Sequence, residues 1–174
     1  MNTDLVISAV GSDRPGIVEQ LAEAITATGC NIEQSRMAQL AGEFAIILRV
    51  TGTPEAIACL AEVTDEIEEA TGLSLLTRAS EAAPAREALP CRVEVVAMDQ
   101  PGIVHEVTAF FARRGINIAE LATDTYAAPH TGTPMFSLAM TVQLPAGTAP
   151  GRLRQAFQAF CDEQGIDGTL EAVR

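Results

Sequence analysis

The apolar residues in the first half of the chain follow two recurring patterns. Short apolar runs, such as residues 5–10, have the length and flanking turn residues of buried strands. Elsewhere the apolar residues return every three or four positions, as Ile17, Leu21 and Ile25 do, which is the spacing of one face of a helix. Taken in order, these patterns predict β-α-β-β-α-β.

The same patterns predict where several elements begin and end. Residues 31–40 and 44–50 form two extended arms around a hairpin turn at Ala41-Gly42-Glu43. Residues 55–70 predict one continuous helix with an apolar face and an acidic surround, which ends at Gly72. A final strand is expected at residues 73–77.

The second half of the chain repeats the first. The run Asp13-Arg14-Pro15-Gly16-Ile17-Val18 returns, 86 positions later (13 to 99), as Asp99-Gln100-Pro101-Gly102-Ile103-Val104. At the same offset, Gly29, Asn31 and Ile32 return as Gly115, Asn117 and Ile118. The offset grows to 92 at Phe136, so the second hairpin is expected to hold six extra residues. An insertion confined to a turn supports the repeat.

This repeat predicts two similar domains, at residues 1–79 and 91–174, joined by a linker at 80–90 that carries no periodicity. Each unit closes as a ferredoxin-like α+β sandwich, with one antiparallel four-stranded sheet and its helices on one face. Domains of this size have marginal cores, so we expect packing against each other or against another chain. A homo-oligomer is therefore an open alternative.

The repeated motif lies between a strand and a helix, and two interpretations of it stay open. In both interpretations, Asp is expected to cap the helix and Pro to lie in its first turn. Gly is expected to let another group approach the backbone closely. A helix start also presents unpaired N–H groups and a partial positive charge, which suit a small carboxylate. The motif is thus either a turn alone or a turn that binds an anion.

The charged residues of the chain disfavour or exclude several classes of function. The net charge is −12, and all eleven basic residues are arginine. Direct nucleic-acid binding is disfavoured, since it requires basic residues to replace phosphate counterions. The absence of lysine excludes a Walker-type phosphate loop and a Schiff-base lysine.

An enzyme is not expected. His105 and His130 are the two histidines, and neither has the neighbours of a catalytic triad or a metal site. We expect no catalytic residue, no metal and no cofactor. The cysteines form no C-x-x-C pair and are expected to be small core residues of a reduced, cytoplasmic protein. No apolar run approaches the length of a membrane span.

The motifs D-x-P-G-I and G-x-N-I, in this order and in two copies, resemble the ACT domain, a regulatory module that binds small molecules. Two such units in a chain of this length resemble the glycine cleavage system transcriptional repressor family. The run Gly-Thr-Pro-Met-Phe-Ser-Leu at residues 132–138 is similar to the second domain of that family.

The ACT resemblance implies a site for a free amino acid, usually at an interface between domains. It is lined by the first turn and by the start of the second strand. The first set of residues implied is Asp13, Arg14, Pro15, Gly16, Asn31 and Ile32, and the second set is Asp99, Gln100, Pro101, Gly102, Asn117 and Ile118. Backbone amides would hold the carboxylate and Asp the ammonium. Because Arg14 is replaced by Gln100, the two sites are expected to differ, or one to be inactive.

The family resemblance further implies a regulator of transcription that acts through a protein partner. That partner would be a DNA-binding transcriptional activator, and the small-molecule ligand would be a free amino acid, with glycine as a candidate. The chain itself would contact neither DNA nor a membrane. Two alternatives stay open: a protein-interaction module that needs no ligand, and a regulator of an enzyme of amino-acid metabolism.

Overall fold

A computed structural model describes residues 3–80 and 88–173 of the chain. The chain divides into two compact units, Met1–Pro84 and Ala85–Arg174, each of which is described by itself. The elements of unit 1 are β1 (Thr3–Ser12), α1 (Ile17–Ala27), β2 (Asn31–Leu40), β3 (Glu43–Gly52), α2 (Pro54–Glu62), α3 (Thr64–Thr71) and β4 (Ser74–Ser80). Those of unit 2 are β5 (Ala88–Met98), α4 (Ile103–Ala112), β6 (Asn117–Ala127), β7 (Pro134–Pro145), α5 (Pro150–Gln164) and β8 (Asp167–Ala172).

Each unit contains one antiparallel four-stranded sheet. The strand order is β2-β3-β1-β4 in unit 1 and β6-β7-β5-β8 in unit 2, so the two topologies are equivalent. The predicted α+β class and the ferredoxin-like βαββαβ topology are confirmed. The motif turn of each unit leads from a central strand into the first helix, which places it at one end of the sheet.

The core of unit 1 lies between its sheet and its helices. Alternate residues of β1 and β3 face the helices and are buried, among them Ile7 and Phe44, neither of which is exposed at all. Leu21 and Ile25 of α1 pack against this face, as the helical spacing predicts.

The core of unit 2 is built around aromatic side chains. The rings of Phe110, Phe111 and Phe157 meet with centroids 5.0 to 5.4 Å apart, and Phe160 packs beside them. Edge-to-face and tilted contacts of this kind are favourable for aromatic rings. Unit 2 is therefore held by contacts between α4 and α5 that have no aromatic counterpart in the helices of unit 1.

The single helix predicted at residues 55–70 is wrong, because the structure has two helices there, α2 and α3. The break falls at Val63, whose φ of −91° and ψ of 8° lie outside the helical region. The hydroxyl of Thr64 donates hydrogen bonds of 3.1 Å to the carbonyls of Leu60 and Ala61. Such bonding by a threonine side chain is compatible with a bend, but Thr108 makes the same two contacts within the unbroken α4, so the hydroxyl alone does not break a helix.

Strand boundaries also differ from the predicted linker at 80–90. Strand β4 extends through Ser80, and β5 begins at Ala88, which pairs with Pro145 of β7. Residues 81–87 of the predicted linker lie outside the described residues. The turn predicted between the first arms is confirmed, with Ala41 and Gly42 both at positive φ. The corresponding connection of unit 2 spans residues 128–133 where unit 1 has residues 41–42, so four of the six extra residues lie in the connection and the other two lengthen β6 and β7.

One of the four cysteines departs from the expectation of a core position. Cys30, Cys91 and Cys161 are buried, whereas Cys59 is exposed on α2. All four are free thiols.

Candidate functional site

Both copies of the motif begin a helix at glycine. Gly16 is the N-cap of α1, with a φ of 86°, and Gly102 is the N-cap of α4, with a φ of 97°. The predicted capping by Asp13 and Asp99 is wrong: neither helix has a side-chain cap among the described residues. Left-handed φ values are readily adopted by glycine because it has no Cβ, so the glycine is required for the turn itself.

The aspartate of the motif has a different structural role. The carboxylate of Asp13 accepts a hydrogen bond of 2.7 Å from Nε2 of Gln39 on β2, and its N–H donates to the carbonyl of Gly42 at 3.0 Å. In unit 2 the N–H of Asp99 donates to the carbonyl of Pro134 at 3.0 Å. The aspartate therefore joins the motif turn to the neighbouring hairpin.

The backbone amides of the motif suit an anion. In α1 the N–H of Ile17 donates to the carbonyl of Arg14 at 3.3 Å, and the helical ladder starts with the N–H of Gln20. The amides of Val18 and Glu19 precede the ladder, and a helix provides no partner for amides at these positions. Gly16 and Gly102 are both exposed, so a solute can reach this part of each turn. The partial positive charge of the helix start lies at the same place.

The asparagines of the predicted site lie far from the motif of their own unit. Asn31 pairs with Thr51, which pairs with Asp4 at the beginning of β1, while Asp13 follows the end of β1. Since a strand rises about 3.3 Å per residue, the separation is on the order of 30 Å. The structure therefore does not bring Asn31 and Ile32 to the motif turn of unit 1.

Unit 2 has the same arrangement. Asn117 pairs with Gln143, whose other neighbour is Pro90 near the start of β5, while Asp99 follows the end of that strand. Nδ2 of Asn117 donates a hydrogen bond of 3.0 Å to Oε1 of Gln143. Ile118, like Ile32 in unit 1, packs against the core of its unit. Neither the asparagine nor the isoleucine joins a site with the motif of its own unit.

The second motif lines a pocket of about 220 Å³. Its walls come from the motif, from the first turns of α4 and from the end of α5. The lining residues are Gln100, Pro101, Gly102, Ile103, Glu106, Val107, Gln164 and Ile166. Three of the predicted site residues are thus brought together, and Asp99 lies outside this lining. The sequence pattern does not identify Glu106 and Gln164 as lining residues, although the constant offset makes Glu106 the equivalent of Gln20 in unit 1.

In unit 1 the side chain of Arg14 lies where unit 2 has its pocket. Nη2 of Arg14 donates a hydrogen bond of 2.6 Å to Oε1 of Gln20 and one of 3.1 Å to the carbonyl of Thr71. Gln20 corresponds to Glu106, and Thr71 corresponds to Gln164 as the last helical residue before a left-handed glycine. The substitution at the second motif position therefore changes what fills the groove between the helices.

The histidines and the buried cysteines are the described side chains with the most common catalytic chemistry. His105 and His130 are both exposed. Burial raises the pKa of the Cys161 thiol to about 11, and burial also raises the pKa of Cys91, which makes both thiols poor nucleophiles at neutral pH. Within residues 3–80 and 88–173, no three His, Cys, Asp or Glu side chains are placed to hold a metal.

No helix in the described part of the chain is both long enough and apolar enough to span a membrane.

Comparisons with known proteins agree with the repeated fold. Residues 3–78 and residues 92–125 each match a model of the ACT domain. The chain is 34% identical over 171 residues to the glycine cleavage system transcriptional repressor of Escherichia coli (strain K12), covering 97% of this chain and 90% of that protein. The glycine cleavage system transcriptional repressor of Shigella flexneri matches with the same identity and coverage.

A solved structure agrees with these sequence matches over the whole chain. The crystal structure of a protein from Galdieria sulphuraria has a TM-score of 0.81 and 32% identity, and the match covers 100% of both chains. Homology to a repressor over nearly the full length supports a regulatory role. The chain belongs to the glycine cleavage system transcriptional repressor family and carries two ACT domains in tandem.

Proposed function

We propose that this protein regulates transcription of amino-acid metabolism, with glycine cleavage as the system controlled, by binding a free amino acid and acting through a protein partner. The observation that carries the proposal is the motif turn, built twice with a glycine N-cap and no side-chain cap among the described residues. A carboxylate at this turn would accept hydrogen bonds from backbone amides, and the helix dipole would favour its charge.

Binding is proposed to involve the motif residues rather than complete sites within single units. Asp13, Arg14, Pro15 and Gly16, and their counterparts Asp99, Gln100, Pro101 and Gly102, lie at the turns. Asn31, Ile32, Asn117 and Ile118 lie at the opposite ends of their sheets. Each asparagine therefore lies apart from the motif of its own unit. Glycine is a candidate ligand because it offers a carboxylate and an ammonium without a side chain to accommodate.

The proposed partner is a DNA-binding transcriptional activator, and this chain itself is proposed not to contact DNA. The net charge of −12 disfavours association with phosphate, since favourable binding draws on Lys and Arg that displace counterions. We place the protein in the cytoplasm, where the four free cysteines would remain reduced.

A second candidate, a protein-interaction module that needs no ligand, is favoured by one surface. Val10, Ile47 and Leu76 are exposed by 51%, 49% and 72% on the side of the unit 1 sheet that faces away from its helices. The strand register places Ile47 and Leu76 on either side of Ser8. Apolar side chains grouped on an open sheet face are typical of a surface that another protein covers.

Calorimetric titration of the purified protein with each free amino acid tests the proposal. Saturable heat with at least one amino acid, reduced in a Gly102→Ala or Gly16→Ala variant, is the expected result. If no amino acid in the panel binds, the proposed ligand is wrong, and the protein-interaction module that needs no ligand is favoured. A mobility-shift assay with duplex DNA at physiological salt tests the proposal that this chain does not contact DNA. Tight binding by the protein alone would contradict that proposal.

A further inference from the structure

The groove between the first helix and the end of the last helix differs between the two units. In unit 1 it holds the half-buried Arg14 side chain, whose Nη2 contacts two acceptors, Oε1 of Gln20 and the carbonyl of Thr71. Arg14 stands at the second position of the motif. The groove of unit 1 is thus occupied by a guanidinium group that belongs to the chain itself.

In unit 2 the corresponding motif position is Gln100, and the groove is a pocket of about 220 Å³. Gln100 is a shorter side chain without a charge, and it lines the pocket instead of spanning it. The backbone around the pocket is equivalent to that of unit 1, since both motifs cap their helices with a left-handed glycine. The difference therefore lies in the side chains.

The acceptors that hold Arg14 in unit 1 have counterparts around this pocket. Glu106, half-buried in the lining, replaces the amide oxygen of Gln20 with a charged carboxylate. Gln164 replaces Thr71 as the last residue of its helix, where backbone carbonyls lack helical partners and the helix dipole is negative. The partial positive charge at the start of α4 opposes a cation, but the start of α1 does the same beside Arg14, so the two grooves differ in their acceptors, which are stronger in unit 2.

We propose that the pocket of unit 2 binds the guanidinium group of an external ligand, in the position that Arg14 occupies in unit 1. Oε of Glu106 and the Gln164 carbonyl accept its hydrogen bonds, and Ile103, Val107 and Ile166 surround its flat faces. A pocket of this volume is smaller than those that enclose drug-sized ligands, so it suits a head group with a short stem.

This inference rests on the proposed function, because it names the chemistry of the ligand at the second motif. A guanidinium group reaches such a pocket from two sources, a free amino acid such as arginine or an arginine side chain of a protein partner. Both present the same planar cation to the same acceptors. Free L-arginine and N-acetyl-L-arginine amide, called blocked arginine below, distinguish the two sources. The blocked form has no free amino or carboxylate group and therefore mimics an arginine residue within a peptide.

The test is an amide-resolved NMR titration of the full chain with three compounds: L-arginine, N-acetyl-L-arginine amide and L-citrulline. Citrulline has nearly the same shape but carries no charge. Saturable shifts at Gly102, Glu106 and Ile166 with at least one arginine compound, and at least tenfold weaker binding of citrulline, are expected from the loss of charge-assisted hydrogen bonds. Binding of free arginine alone assigns the site to a metabolite, and equal binding of blocked arginine assigns it to a peptide.

Variants that exchange side chains between the units make the result specific to the groove. Gln100→Arg should fill the pocket of unit 2 from within and abolish the shifts, while Glu106→Gln should weaken binding by about tenfold or more. Arg14→Gln should open the groove of unit 1 and produce a second set of shifts at Gly16 and Gln20. Unchanged far-ultraviolet circular dichroism shows that each variant has kept its fold.

Several results would overturn the inference. Equal shifts with citrulline, or unaltered arginine binding in Gln100→Arg, would show that the pocket does not select a guanidinium group. If neither arginine compound binds but another amino acid does, this inference fails and the proposed function stands. If only blocked arginine binds, the guanidinium site stands as a site for a peptide, and the calorimetric panel of free amino acids decides separately on the ligand of the proposed function.

Discussion

The carboxylate of Asp13 accepts a hydrogen bond of 2.7 Å from Nε2 of Gln39, a residue near the end of β2. The first residue of the motif thereby connects the strand-to-helix turn with the hairpin beside it, and the helix is left without a side-chain cap among the described residues. This contact helps to hold the turn in place, and Gly16 at the start of α1 is exposed to solvent.

Replacement of Asp13 by alanine is expected to lower the free energy of unfolding by about 0.5–1 kcal/mol, the range for a hydrogen bond at an exposed site. Gln39→Ala should cost a similar amount. Urea unfolding of both variants and of the double variant measures the coupling. If Asp13 stabilised the helix by capping instead, Gln39→Ala would leave stability unchanged and the two effects would add.

Replacement of Gly16 or Gly102 by alanine is expected to lower stability by about 1 kcal/mol or more in each case. Both glycines have left-handed φ values, 86° and 97°, which strain a residue that carries a Cβ. The space around them is open, since an added Cβ would have no neighbour within 4 Å. The cost therefore comes from backbone strain rather than from steric contact, and thermal unfolding measures it.

Asparagine is the matched control at these positions, because it tolerates left-handed φ values better than alanine does. Gly16→Asn and Gly102→Asn should retain more of the stability than the alanine variants. The affinity for an amino acid, measured on the same samples, separates the two roles of the motif. Loss of stability with unchanged affinity would leave the motif as a turn only.

Much of the fold is predictable from local pattern. The spacing of Ile17, Leu21 and Ile25 identifies a helix face, and all three side chains are buried as expected. The constant offset between the two motifs identifies the repeat from the sequence alone. The break at Val63 is not predictable in the same way, since the apolar spacing continues across it and only the backbone angles of Val63 show the interruption.

The candidate site is less predictable because it depends on which strand ends meet. The motif glycine and the asparagine that follows it some fifteen residues later (16 to 31) are close in sequence. Helix α1 nevertheless lies between them and carries the chain back along the whole length of the sheet. The pocket of unit 2 depends on Gln164, which is distant in sequence from the motif. The difference between Arg14 and Gln100 is visible in the sequence, but its consequence requires the contact with Thr71.

Replacement of Gly168 by alanine is expected to destabilise unit 2 by about 1–3 kcal/mol, the usual cost of overpacking a core. A Cβ there would lie 2.5 Å from Sγ of Cys161 and 2.9 Å from a ring carbon of Phe157, and both side chains are buried. Neither neighbour is the free end of a flexible chain. Chemical denaturation measures the loss.

Gly151 provides the control for this substitution. It lies in the first turn of α5, where an added Cβ has nothing within 4 Å, and its φ is not left-handed. Because alanine is the better helix former, Gly151→Ala should leave stability unchanged or raise it by up to about 1 kcal/mol. A Gly168→Ala variant as stable as wild type would mean that α5 and β8 are packed less closely than these distances require.

The stability of the protein is expected to fall between pH 9 and pH 11 because of the Cys161 thiol. Burial, with a smaller contribution from the charges of Asp162 and Asp167, raises the pKa of this thiol from 9.0 to about 11. The unfolded chain therefore releases the proton first as the pH rises, which favours unfolding. Below pH 9 both states hold the proton and stability is unaffected; above about 11 both have lost it and the change is complete.

The magnitude is of the order of 3 kcal/mol, since the pKa rises by about two units and each unit corresponds to about 1.4 kcal/mol. The chain suits this measurement because it has no lysine, whose titration would otherwise dominate the range. Urea midpoints at pH 8, 9, 10 and 11 should decline in the wild type and decline less in Cys161→Ala. Cys59→Ala, which alters an exposed thiol, is the matched control and should follow the wild type. Parallel curves for Cys161→Ala and wild type would show that this thiol is not the source of the pH dependence.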